Sequence, residues 1–117
     1  MKHIIYEGTP SLPYSFQYTP TSDAPMMIYF SGTAWTNTEN SRIGLQLLVN
    51  GSVIADAMIF STTPAQHRAL QTGLAMYTFP FSVDPNTQKV NPVTIEIQAM
   101  PGTNFDVNDF ICVACFN

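Results

Sequence analysis

Residues 43–59 restrict this chain more than any other stretch. Ile43, Leu45, Leu47 and Val49 alternate with Gly44 and Gln46, Asn50-Gly51 follows, and Val53, Ala55, Ala57 and Ile59 resume the alternation. A period of two puts such residues on one face of an extended strand. Asn-Gly is the pair that most readily takes the positive φ angles of a type I′ turn, whose twist matches that of the strands it joins. The pattern predicts paired strands over 42–50 and 52–60.

A second alternation, Val93, Ile95, Ile97 and Ala99 against Thr94, Glu96 and Gln98, predicts a strand with one wet face. Helical spacing is nearly absent, and Gly and Pro together punctuate the chain too often for long helices. Further strands are expected at 26–35, 74–81 and 109–116, with shorter ones near 3–7 and 14–18. Turn chemistry separates them: residues 19–25, Thr36 to Ser41, Ser61 to Pro64, Asp84-Pro85-Asn86 and Met100 to Asn104. Pro64 to Gly73 reads as a crossing loop. Seven or eight short strands in 117 residues give an all-β chain, an antiparallel two-sheet sandwich or jelly roll. Residues 1–117 form a single domain, with 1–25 a peripheral N-terminal segment.

Charge is scarce: four basic and eight acidic residues, where an ordinary domain of this length would carry about 25% charged positions. Lys2, Arg42, Arg68 and Lys89 are scattered and form no basic stripe, so nucleic acid is not an expected partner. No run approaches the ~20 apolar residues of a membrane helix, and no membrane insertion is expected. Ile4-Ile5-Tyr6 is too short for the apolar region of a secretory signal, so synthesis in a cytoplasm is expected, with use in a virion or after release outside the cell left open.

Several strands are apolar on both faces. In 109–116 one face carries Phe110, Cys112, Ala114 and Phe116 and the other Ile111, Val113 and Cys115; Met26 to Phe30 and Tyr77 to Phe81 behave likewise. A two-layer sandwich buries one face of each sheet, so the surplus calls for cover from another subunit. Phe110, Ile111, Val113, Cys115, Tyr77 and Phe79 are therefore expected at an interface between copies.

The hairpin Ile43 to Ala55, the strand Val93 to Ala99, the loop Gly102-Thr103-Asn104-Phe105 and the final apolar strand Phe110 to Val113 together resemble a C1q/TNF-like jelly roll. Knobs that end phage tail fibres and needles, and some bacterial lectins, share that layout. The resemblance covers about residues 26–116 and implies a compact homotrimer with its last strand near the threefold axis. It brings no binding motif, and the Gly-X-Y stalk that precedes some such knobs has no counterpart here.

Of the candidate chemistries most dissolve. Cys112-Val-Ala-Cys115 spells C-x-x-C, but in a strand positions three apart are ~10 Å from each other and face opposite ways, which suits two structural thiols. His3 and His67 are the only imidazoles, too few for a cupin-like metal centre, and His67 reads as a loop residue. No Gly-x-Ser-x-Gly elbow is present, and Asp106 and Asp109 read as turn residues rather than as a catalytic pair. Asn104, Asp106 and Asn108 space oxygen ligands at alternate positions, a weak calcium candidate without the Gly and Glu of an EF-hand loop. Asn50-Gly-Ser52 fits a glycosylation sequon, which the turn already explains.

Trp35, Asn37, Glu39, Asn40 and Arg42 remain: the one indole beside amides, a carboxylate and a guanidinium, a set suited to stacking on a pyranose and bonding its hydroxyls. The expectation is a non-enzymatic trimeric module, without cofactor, that recognises a surface glycan or receptor. The alternative is a structural virion or assembly piece for which trimerisation is the function.

Overall fold

The computed structural model describes residues 2–72 and 74–117. Nine strands appear among them: β1 (Lys2–Gly8), β2 (Tyr14–Tyr18), β3 (Met26–Ala34), β4 (Ser41–Val49), β5 (Ser52–Ser61), β6 (Arg68–Gln71), β7 (Ala75–Tyr77), β8 (Val93–Ala99) and β9 (Ile111–Phe116). They form two antiparallel sheets, ordered β1-β9-β3-β6 and β2-β8-β4-β5. Strands β6 and β7 pair with successive lengths of β3, at Ser31–Ala34 and Met26–Ile28. The molecule is a β-sandwich drawn out along its strands, 53 × 23 × 21 Å, with a radius of gyration of 15.4 Å against ~13 Å for a compact domain of this size.

The hairpin forms as the alternation requires. Asn50 and Gly51 both have positive φ, 49° and 84°, and Val49 pairs with Ser52. One detail departs from strict alternation: the register shifts between Leu47 and Leu48, so Ala55, Ala57 and Ile59 oppose Leu47, Leu45 and Ile43 while Val53 is left 46% exposed. A bulge of this kind turns the preceding residues to the other face.

The core lies between the sheets. Met26, Ile28, Phe30 and Ala34 of β3 and Ile111, Val113 and Cys115 of β9 meet Ile43, Leu45, Leu47 and Val49 of β4 and Val93, Ile95 and Ile97 of β8. Gly32 keeps β3 close to the chain entering β9, since a Cβ there would stand 2.7 Å from the carbonyl oxygen of Phe110. Four of the residues expected at an interface, Ile111, Val113, Cys115 and Phe79, belong to this core and are covered within the chain. Tyr77 is half-buried and Phe110 exposed.

Two segments differ from their sequence reading. The expected strand 74–81 narrows to β7, because Phe79 turns inward onto the rings of Tyr18 and Tyr77 and Pro80 supplies no N–H to a ladder. The expected crossing loop 64–73 contains β6, whose Leu70 fills the core; Gly73 lies outside the described residues. Residues 1–25, expected to be peripheral, contribute the edge strands β1 and β2, one to each sheet; Met1 is outside the described residues.

The outward rows of the two sheets differ in chemistry. Registers place Ile4, Cys112, Ala114, Phe116, Met27, Tyr29 and Met76 side by side on the outer face of the first sheet, bordered by Lys2, Glu7, Ser31 and Thr33. On the second, Gln17 donates to Thr94 at 2.8 Å, Gln98 to Gln46 at 3.0 Å and Gln46 to Asp56 at 2.9 Å.

Candidate functional site

Alternation along β3 carries Thr33 and then Trp35 to the outer side of the first sheet at the strand's C-terminal end. Trp35 is fixed by paired backbone bonds with Asn104, at 3.0 and 2.7 Å. Thr36 is buried and donates from Oγ1 to the Gly102 carbonyl at 2.8 Å. Two connections converge on this end, residues 62–67 between β5 and β6 and residues 100–110 between β8 and β9.

At their meeting point Asp109 has a fully buried side chain. A lone carboxylate in such a place is costly unless donors surround it. Here Thr33 Oγ1 donates to Oδ1 at 2.8 Å, the Asp106 N–H donates to Oδ2 at 2.9 Å, and His67 Nδ1 stands 2.6 Å from Oδ1. The His67 side chain is 35% exposed. Its hydrogen bond to Asp109 raises its pKa above the ordinary imidazole value; partial desolvation opposes this, and the charges of Asp109 and Asp106 add to it. The site thus couples a buried anion to a half-exposed cation, the geometry in which an imidazole holds its proton.

The Trp35 ring lies 5.7 Å from the His67 ring, tilted by 38°, and its Nε1 is buried with no hydrogen-bond partner among the described residues. Asn37, Glu39 and Asn40 extend from the turn after Thr36 and Arg42 from the start of β4, all exposed. The structure therefore keeps Asn37, Glu39 and Asn40 in one loop with Arg42 on the strand that follows, and sets the indole beside an imidazole.

The alternate oxygens of the 104–108 segment are used locally. Asp106 Oδ1 accepts the Asn108 N–H at 2.9 Å, and the Asn104 backbone is committed to Trp35. Ligand atoms of His67, Asp106 and Asp109 do come within 4.8 Å of one another. Both oxygens of Asp109 already accept hydrogen bonds, so the cation this arrangement accommodates best is the proton on His67.

Sequence reading took His67 as a loop residue and Asp109 as a turn residue opening the strand 109–116, and did not connect them. One signal was present: Asp109 opens a run of seven apolar residues, a position where a carboxylate is buried and needs a donor. At the other end of β3 a cavity of about 140 Å³ opens between the sheets, lined by His3, Tyr18, Thr21, Met26, Cys115 and Phe116 among others. Burial pushes the Cys115 thiol up to about 11, which makes it inert as a nucleophile near neutral pH. Comparison with models of known families and with curated proteins gave no match for this chain.

Proposed function

We propose that this chain is a non-enzymatic attachment module of the C1q/TNF-like jelly-roll type that acts as a homotrimer and recognises a surface glycan or receptor. The jelly-roll reading is supported by the strand pairs. With β6 and β7 counted as one strand, the pairs β1·β9, β2·β8, β3·β6/β7 and β4·β5 are those of one long antiparallel ribbon folded over on itself, which distributes the pairs alternately between two sheets.

The observation that carries the trimer is the outer face of the first sheet. Met27, Met76, Cys112, Phe116 and Ile4 surround the buried Ala114 there with apolar side chains from four neighbouring strands, the composition of an interface core, whereas the middle of the opposite sheet's outer face is polar and its exposed apolar residues, Val53, Met58 and Phe60, are confined to the edge strand β5. In a trimer, neighbouring copies packed against the first sheet remove that surface from water. The interface expected on β9 moves accordingly from the inner row Ile111, Val113 and Cys115 to the outer row Cys112, Ala114 and Phe116.

Ligand recognition is assigned to Asn37, Glu39 and Asn40 of the loop and Arg42 at the start of β4, together with Trp35. A purely structural role, as a fibre tip or capsid-decorating piece, is favoured by one observation: the His67 ring already packs beside the indole, 5.7 Å away, in the space a stacked sugar would share. Light scattering on the purified protein tests the assembly, with a mass of three 12.9 kDa chains expected and a monomer opposing the proposal. A glycan array with the native protein and Trp35→Ala then separates the two roles. Binding that is lost in the variant while the oligomer survives supports recognition; no binding by either leaves the structural role.

A further inference from the structure

We propose that His67 and Asp109 form a proton-operated latch that fastens the β5–β6 connection over the indole of Trp35. This does not depend on the trimer or on any ligand.

Three observations locate the latch. Among the described residues His67 is the one side-chain link from the connection to the buried carboxylate, at 2.6 Å, and its ring lies 5.7 Å from that of Trp35. Two residues earlier, Ala65 is bonded through its N–H to the Thr36 carbonyl at 2.7 Å. Ala65 also has φ of 61°, a left-handed conformation that a residue with a Cβ resists and that persists only where the surroundings impose it. The connection is therefore held in a strained docked form by bonds at Ala65 and His67, and it relaxes when either is weakened.

The groups around the imidazole decide what weakens it. The β8–β9 connection presents Asp109 and Asp106, both acidic. From β3 and its end come the Thr33 hydroxyl on Asp109 and the Trp35 ring, neither of which changes charge near neutral pH. Arg68, the next residue in the chain, begins β6. Protonated His67 is thus the cation set directly on Asp109. A histidine whose folded pKa is raised tightens its contact below the unfolded value and gives up that gain as pH rises through the folded one. Above that point Nδ1–H still donates to Asp109, but without the charge, and the docked loop loosens.

Trp35 is the only tryptophan, so its emission reports on the latch directly. The experiment is a pH titration of the full chain followed by Trp35 fluorescence, by the His67 ring signals in NMR, and by hydrogen exchange at the Ala65 amide. Imidazolium against indole quenches, so emission is expected to rise with pH at the midpoint of the His67 titration, which lies above the usual imidazole range. Exchange at Ala65 is expected to accelerate across the same interval beyond its chemical pH dependence. In His67→Gln, which retains a donor but cannot titrate, the step is expected to vanish with an unchanged circular dichroism spectrum. A His67 titration without an emission change, or a step that persists in His67→Gln, overturns the latch. Ala65→Gly adds a separate readout: with the strain gone, the loop is expected to stay docked and its exchange step to shrink, whereas an unaltered step removes Ala65 from the device.

Discussion

The two sheets share a core yet present opposite surfaces to the outside. Along the second sheet Gln17 bonds to Thr94, and Gln98, Gln46 and Asp56 bond in series across three strands, so the polar middle of that face satisfies itself while its exposed apolar residues, Val53, Met58 and Phe60, stay on the edge strand β5. Along the first, Met27, Met76, Ala114 and Phe116 offer no polar atoms to bond, and the hydroxyl of Tyr29 donates to Gln71 at the β6 edge at 2.7 Å. The lesson is that hydrophobic residues in this chain are divided between two tasks, one inside the sandwich and one outside it, and that only register tells them apart. Neighbours such as Val113 and Ala114 belong to different faces.

Three substitutions would break or sharpen that contrast. The largest effect is expected for Val113→Asp, which places a charge in the inner row where no partner awaits it; loss of on the order of 4 kcal/mol or more should appear as a collapsed thermal transition. Retention of a folded protein would mean that β9 faces the other way. Next comes Met27→Asp on the outer row, expected to leave circular dichroism intact while light scattering falls from three chains to one. An unchanged oligomer would transfer the interface elsewhere. Smallest is Gln46→Ala in the second sheet, which removes bonds to Gln98 and Asp56 at a cost of about 0.5–1 kcal/mol in chemical denaturation with no change in mass. A shift in mass there would show that the polar face also takes part in assembly.

How much of this was legible beforehand follows from what each feature depends on. The hairpin at Asn50-Gly51 and the strand at 93–99 are local patterns, and both formed where alternation put them. The surplus of apolar residues in 109–116 was also visible, but assigning its two faces was not, because that depends on where β1 and β3 pair with β9. Strand β6 was missed since Arg68 to Gln71 has only Leu70 to signal burial, and its place is set by β3 rather than by its own composition. The cluster of Thr33, His67 and Asp109 joins positions up to 76 residues apart, a strand residue and two connections that each cross from the second sheet to the first, and no spacing rule reaches that far. Trp35 was legible as a residue of interest; that its ring would rest on an imidazole was not.

The pairing of β1 with β9 has a mechanical side. Lys2 lies opposite Phe116, so points near the two ends of the described chain sit next to each other at one pole of the sandwich, away from the His67 end. Tension applied at those points pulls across the ladder, opening β1 from β9 one hydrogen bond after another like a zipper, rather than along it, where many bonds would share the load. Any force transmitted through both ends meets the weakest direction of the fold, whereas a load that enters through one end and leaves through the distant loops runs along the strands and meets the strongest.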